Sequence, residues 1–426
     1  MNSLNINNIF RKLKDNKTIV QNTGYLSIIE IVRLAMPFIA LPYIIRTVGA
    51  ENYGLAVFAQ TIISYFTIFI NFGLDISAVK NISINRNDIA ELNKIVSSVL
   101  LIKLVLFTIS FLLLLIGLWI IPFLKIHRLL FLFAFLTCFS ELLFPTWFYQ
   151  GIEKMKYLTL IKTTSILFYT ISVFLFIHKP EHYTRIVLLQ SLGNLFAGVM
   201  SFYLLLRIEK VQLIKSSYKY IKQTFTDSIP FFFSRLSAVL NSAMAKTISG
   251  IFFSMQAVAA FDLAQKIATV ALVPMQMLNQ AIYPHIAKTL NKEFVAKFLK
   301  INIFISLLTA IIVYLSAPLA IKFFANGQMP EAITLTRILA LWVFVGGITT
   351  YIGAPVLVSF GFSKPFNRSV LLSTIILFIN YVILYIGNIF TIYNFAFALI
   401  LSEIAILKYR CYFCWHYKIF IYNGRL

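Results

Sequence analysis

Asp262 and Lys266 stand four residues apart in an otherwise apolar run, a spacing that puts an acid and a base on one helical face. Such a pair can neutralise itself, exchange for an anionic substrate, or protonate during a transport cycle. The same face continues through Thr269, Gln276 and Gln280, at offsets of 7, 14 and 18 from Asp262, interrupted by Val273. A second stretch carries Arg235, Ser242, Lys246 and Ser249 at offsets 0, 7, 11 and 14. A third carries Gln60, Ser64, Thr67, Asn71 and Asp75 at offsets 0, 4, 7, 11 and 15, and Glu30 and Arg33 stand at i, i+3 upstream. Arg offers forked donors and Lys a compact charge, so a cluster of them suits a diphosphate especially well. Glycine-rich phosphate loops, Walker sequences, nucleophile elbows and paired-histidine metal helices do not occur in the chain.

The elements that must carry these stripes follow from composition. Of 426 residues, 60% are hydrophobic and 12% charged, and the mean hydropathy is +0.85. Soluble domains run at about 45–50% apolar and about 25% charged, so a cytosolic enzyme and a disordered chain are both excluded. The apolar runs are continuous rather than alternating, which excludes a membrane β-barrel. The expected fold is an all-α polytopic membrane protein with twelve transmembrane helices in two six-helix lobes around a central cavity. The spans are expected near 25–46, 53–75, 97–121, 129–149, 157–177, 186–206, 229–253, 258–286, 301–323, 333–359, 369–387 and 391–407.

With the N-terminus placed inside, the cytoplasmic segments hold 24 Lys and Arg and the opposite side holds 5. That asymmetry sets both termini in the cytoplasm and supports an even helix count. The organisation expected is a tail (1–24), a first lobe (25–206), a linker (207–228), a second lobe (229–407) and a C-terminal tail (408–426). Shifting the chain by 205 positions lays Phe58-Ala-Gln-Thr-Ile62 over Leu263-Ala-Gln-Lys-Ile267, a faint repeat that agrees with this division. The first 24 residues are polar and basic, and no cleavable signal peptide is expected. A net charge of +22 would suggest nucleic acid on a soluble domain. In short membrane loops it points instead to anionic lipid.

An ionisable group at membrane depth costs about 2.5–3.5 kcal/mol on insertion scales. Eight basic residues fall inside the spans, against the four carboxylates Glu30, Glu141, Asp262 and Glu403. Lys103 and Lys162 lie near span ends and are expected to snorkel, and Glu403 to pair with Lys408. For Arg46 and Arg337, snorkelling and a cavity position are equally good readings. Arg33, Arg235, Lys246 and Lys266, with Arg46 and Arg337, are the candidate cations for an anionic substrate in a hydrated cavity lined by the first, second, seventh and eighth helices. Glu30, Glu141 and Asp262 are candidates for ion coupling or charge pairing, and Gln60, Ser64, Asn71 and Gln276 for polar lining. Pro37, Pro42, Pro274, Pro284, Gly346, Gly347, Gly353 and Pro355 mark either hinges or static curvature. Cys411 and Cys414 have zinc-type spacing but no second ligand pair, and are set aside. No metal site or cofactor is expected, beyond coupling to H+ or Na+.

Several segments resemble one family. They are Pro42-Tyr-Ile-Ile-Arg46 with Gly49 and Tyr53-Gly54; Asn71-Phe-Gly73 with Ser77-Ala78; Trp147-Phe-Tyr-Gln-Gly-Ile-Glu-Lys-Met155; Phe261-Asp-Leu-Ala-Gln-Lys-Ile267; Tyr283-Pro284; and Phe366-Asn-Arg-Ser369. With twelve spans, these resemble the Wzx-type O-antigen flippases. That group is the polysaccharide transporter branch of the multidrug/oligosaccharidyl-lipid/polysaccharide exporter superfamily. The resemblance implies a bacterial inner-membrane flippase for undecaprenyl-diphosphate-linked oligosaccharide repeat units, working by ion-coupled alternating access through a cationic lumen. Its implied partners are lipid-linked oligosaccharide, membrane lipids and other O-antigen assembly proteins. Lys80 stands where Arg is common in the family, and Gln265 where Glu is common. The rival expectations are a multidrug-type exporter, which wants a carboxylate-dominated cavity, and a membrane polymerase or glycosyltransferase, which wants a large extracytoplasmic loop.

Overall fold

A computed structural model of the protein describes residue 36 and residues 38–420. Every regular element among the described residues is helical. Among the described residues ten helices are long and apolar enough to cross a membrane: Ala50–Ile84, Ile89–Ile120, Arg128–Gly151, Met155–Phe176, Pro180–Arg207, Met255–Thr289, Lys292–Ala325, Glu331–Val358, Ser363–Ile386 and Ile392–His416. Two more helices stand at the first and seventh expected positions. They are the short apolar Phe38–Val48 and Tyr218–Phe252, whose Lys219, Lys222, Asp227, Arg235 and Lys246 dilute its apolar residues. The protein is therefore an all-α polytopic membrane protein.

Local chemistry fixes the helix ends. Asp88 accepts hydrogen bonds from the amides of Ala90 and Glu91, Ser254 from Ala257, Asn291 from Phe294 and Thr391 from Asn394. Each satisfies donors that a first turn leaves orphaned. Pro145 lacks an amide hydrogen, and the helix through Leu143 stops there and restarts at Thr146. Gly73 breaks the second span with φ of 70°, and a Cβ there would strike the backbone of Phe231 and Phe232.

The helices outrun the apolar windows that announced them. The seventh begins at Tyr218 rather than near 229, and the twelfth continues to His416 rather than stopping near 407. Both extensions are polar turns that hydropathy does not register. The chain before Tyr218 is extended and strapped along the Ile89–Ile120 helix. There Gln212 N donates to Asn93 Oδ1 at 2.8 Å, Ile214 N to Ser97 Oγ at 2.8 Å and Tyr220 Oη to Glu91 Oε1 at 3.0 Å.

Contacts group the chain into two units. One comprises the residues through Val48 with Ile62–Phe233; the other comprises Gly49–Thr61 with Ser234–Leu426. The division runs through two helices, Ala50–Asn71 and Tyr218–Phe252. In the first unit Leu74, Ile82, Val96, Val99, Trp147, Phe148, Tyr149 and Leu205 form a buried core. Tyr149 Oη donates to Ser201 O at 2.7 Å, and Lys154 pairs with Glu209 at 2.6 Å. The Trp147–Met155 segment is thereby tied into the fold. The second unit has its own core around Ile286, Val295, Tyr351, Val356, Leu357 and Cys414.

Candidate functional site

The second unit buries one carboxylate among cations. Asp262 is 3% exposed. Its Oδ2 accepts from Lys266 Nζ at 2.6 Å and from Tyr53 Oη at 2.6 Å, and its Oδ1 accepts from Lys246 Nζ at 3.2 Å. Lys266 Nζ also donates to Tyr53 Oη at 2.8 Å and lies 5.4 Å from the centre of that ring. A buried carboxylate needs this density of donors. Lys246 and Lys266 share one counter-charge, so the cluster carries an excess of one positive charge. Its two lysine side chains are 18% and 38% exposed, whereas Asp262 is sealed. The cations are thus the part of the cluster that a ligand can reach.

Glycine permits the assembly. A Cβ on Gly54 would overlap the backbone of Met255, and one on Gly250 would overlap the Phe58 ring. These two positions let the Ala50–Thr61 half of the second span lie against the Ser234–Phe252 and Met255–Thr289 segments. That approach delivers Tyr53 to Asp262 and Lys266. The i, i+4 pairing of Asp262 with Lys266 was readable from spacing, and Lys246 was readable as a cavity cation; its bond to Asp262 and the part played by Tyr53 were not. Tyr53 follows Glu51 and Asn52 at the start of the helix, outside every polar stripe, and stands out only in the Tyr53-Gly54 pair.

A cavity of 280 Å3 in the same unit is lined by Asn241, Ser242, Gln265, Thr269, Ser373, Ser402 and Glu403 among others. Asn241 Nδ2 donates to Ser373 Oγ at 3.0 Å, and Gln265 Nε2 to the Ser242 carbonyl at 3.1 Å. Glu403 was expected to pair with Lys408. Its polar neighbours are instead Thr349 and Trp342, and its nearby cation is Arg410. Arg410 was expected in a cytoplasmic tail, but the twelfth helix carries it into the protein, where it is 6% exposed. Its Nη1 donates to the Thr349 carbonyl at 2.7 Å and its Nε to Ser369 Oγ at 2.9 Å, over the Phe366 ring. Its guanidinium also fills the space beside Gly353, where the tenth span changes to a π-helical turn over Ile352–Val358.

The first unit holds a separate polar cluster. Asn71 Nδ2 donates to Glu141 Oε2 at 3.3 Å, and Lys103 Nζ to the Glu141 carbonyl at 3.2 Å. Lys103 therefore does not snorkel. It is 2% exposed, with Glu141 and Asp75 as its neighbouring charges. Distance from a span end hid the fact that its helical face points inward. Lys162 lies 4.3 Å from the Phe144 ring centre.

The remaining candidates are dispersed. Arg33 and Glu30, with Pro37, lie outside the described residues. Arg46 is exposed on Phe38–Val48, and Arg235 is exposed on Tyr218–Phe252. Gln60 groups with the second unit, while Ser64 and Asn71, on the same helix, group with the first. Gln276 is exposed on Met255–Thr289. Arg337 is exposed and stacks on Tyr314 at 5.3 Å, away from the faces that carry Lys246 and Lys266. The structure thus brings together Asp262, Lys246 and Lys266, adds Tyr53, and joins Asn71 to Glu141. Among the described residues no group of three metal-ligating side chains occurs.

Comparison with known proteins gives these clusters a context. Over 355 residues the chain is 24% identical to a protein of Escherichia coli (strain K12) named as an O-antigen transporter, covering 82% of this chain and 85% of that one. A Shigella dysenteriae protein of the same name is 25% identical over 327 residues, covering 72% and 82%. Among solved structures, an inward-facing multidrug resistance MATE family transporter of the MOP superfamily aligns with a TM-score of 0.69 at 15% identity, covering 93% of this chain and 98% of that one. An outward-facing structure of a MATE family transporter aligns at 0.60 and 17% identity, covering 95% of each. The fold is therefore that of the MATE transporters, and the comparisons place the chain among transporters rather than enzymes. Residues 19–290 match the polysaccharide biosynthesis protein family, and this chain belongs to it.

Proposed function

We propose that this protein is an inner-membrane flippase. It moves undecaprenyl-diphosphate-linked O-antigen repeat units from the cytoplasmic to the periplasmic leaflet by alternating access, coupled to H+ or Na+, with both termini in the cytoplasm. The Tyr53–Asp262–Lys246–Lys266 cluster is the observation that carries this reading. Two partly exposed ammonium groups share one sealed carboxylate, which leaves donor capacity for the oxygens of an anion. An exporter of organic cations wants the opposite balance. The relatives' names supply the substrate class, and the 24-to-5 charge bias supplies the orientation. Asp262 is the natural switch residue. When a diphosphate takes the lysines, the carboxylate loses its counter-charges, and uptake of H+ or Na+ then restores neutrality. Arg33 and Arg235 are the other cations assigned to the substrate path.

The experiment is complementation of a strain lacking this gene, read as surface O-antigen at matched membrane levels of protein. Lys246→Ala and Lys266→Ala are expected to lose display, and Lys266→Arg to keep more of it. Normal display from both alanine variants and from Arg33→Ala and Arg235→Ala would reject the cationic site.

A further inference from the structure

Arg337 has no role in the cluster above, and its surroundings suggest a different one. It projects into a groove of 680 Å3 formed by the Lys292–Ala325, Glu331–Tyr351 and Ile392–His416 helices of the second unit. That volume falls within the range of about 300–1,000 Å3 usual for small-molecule sites. The lining is otherwise apolar apart from Thr334 and the Tyr314 hydroxyl. Its walls are outward-facing side chains: Leu307 is 46% exposed, Ile311 46%, Leu341 53% and Phe397 44%. On helices of this hydropathy such a surface meets the hydrocarbon of a bilayer. Arg337 lies six residues past Glu331, roughly 9 Å along the axis from that end of the helix. With the membrane surface at that end of the helix, this is the depth where a lipid phosphate meets its acyl chains. Among the described residues it makes no ion pair, and the Tyr314 ring holds it from one side.

We propose that this groove seats one anionic phospholipid. Its phosphodiester rests on Arg337 and an acyl chain lies along Leu307, Ile311, Leu341 and Phe397. A single guanidinium matches the single charge of a phosphodiester, whereas the diphosphate of a prenyl-linked sugar would leave most of its charge unpaired. The apolar walls supply chain burial, and the guanidinium discriminates headgroup. With the termini inside, the leaflet concerned is the periplasmic one. The site is independent of the transport path proposed above.

The test uses the purified full-length protein in detergent micelles, titrated with phosphatidylglycerol or phosphatidylcholine and read by native mass spectrometry. The expected result is a preference for phosphatidylglycerol of about fivefold, lost in Arg337→Gln and partly kept in Arg337→Lys. Equal binding of the two lipids to the wild type, or an undiminished preference in Arg337→Gln, would overturn the proposal. A second measurement needs no variant. Phosphatidylglycerol with a photoactivatable acyl chain should label peptides spanning residues 307–315 and 337–344. Labelling confined to other helices would overturn the site. Displacement of the probe by equimolar undecaprenyl phosphate would give the groove to a prenyl chain and overturn the phospholipid assignment.

Discussion

Tyr53 illustrates how a side chain of ordinary appearance becomes decisive through its neighbours. Its hydroxyl donates to Asp262 and accepts from Lys266, so Tyr53→Phe removes two hydrogen bonds from charged partners in one step. Each is worth about 1.5–3 kcal/mol. The expected outcome is a clear drop in the melting temperature of the purified protein, with the chain still inserting in the membrane. Lys246→Ala and Lys266→Ala should each weaken a charge-assisted contact by about 1.5–3 kcal/mol, roughly ten- to a hundredfold in affinity for the anion. Titration of a lipid diphosphate against each variant checks this. Asp262→Asn behaves differently, because it leaves two ammonium groups with no counter-charge. It should lower the melting temperature, and a bound diphosphate should restore part of the loss, since the anion replaces the missing carboxylate. Lys103 belongs with the structural residues. Lys103→Ala leaves a cavity and an unpaired Glu141 carbonyl and should reduce folded protein, whereas Lys103→Met keeps the volume and should cost less.

At the scale of elements, Gly54 and Gly250 decide where the second span lies. Gly54→Leu should drive the Ala50–Thr61 segment off Met255 and carry Tyr53 away from Asp262. Gly327 has φ of 84° with open space around it, so Gly327→Ala incurs only backbone strain of about 1–2 kcal/mol. Display of O-antigen at matched protein level should therefore fail for Gly54→Leu and persist for Gly327→Ala; equal outcomes would contradict the packing argument. Most helices were legible in the sequence because about 20 apolar residues in a row have few other uses. Their ends were not. The Tyr218–Ile229 stretch and the turns that carry Arg410 are polar, and hydropathy cannot tell a polar helical turn from a tail. Faces were legible where charge repeats at helical spacing, as for Asp262, Lys266 and Lys246. They were illegible for Lys103, whose inward direction depends on packing partners more than thirty residues away in the chain.

On the scale of the whole molecule, the proposed flippase joins a membrane orientation, a transporter fold and a cationic cluster into one directional activity. Orientation is checked by reporter fusions. Those after residues 127, 181 and 328 should read periplasmic and those after 85, 215 and 295 cytoplasmic. The central claim, that the chain moves lipid-linked repeat units across the bilayer, is tested most directly by asking which leaflet holds them. In cells lacking the gene, spheroplasts labelled from outside with a membrane-impermeant sugar-binding probe should show no lipid-linked units, and opened membranes should show them in abundance. Cells expressing the Lys246→Ala, Lys266→Ala double variant at wild-type level should match the deletion. Lipid-linked units freely labelled from outside in the deletion strain would mean that they cross without this protein, and would contradict the account.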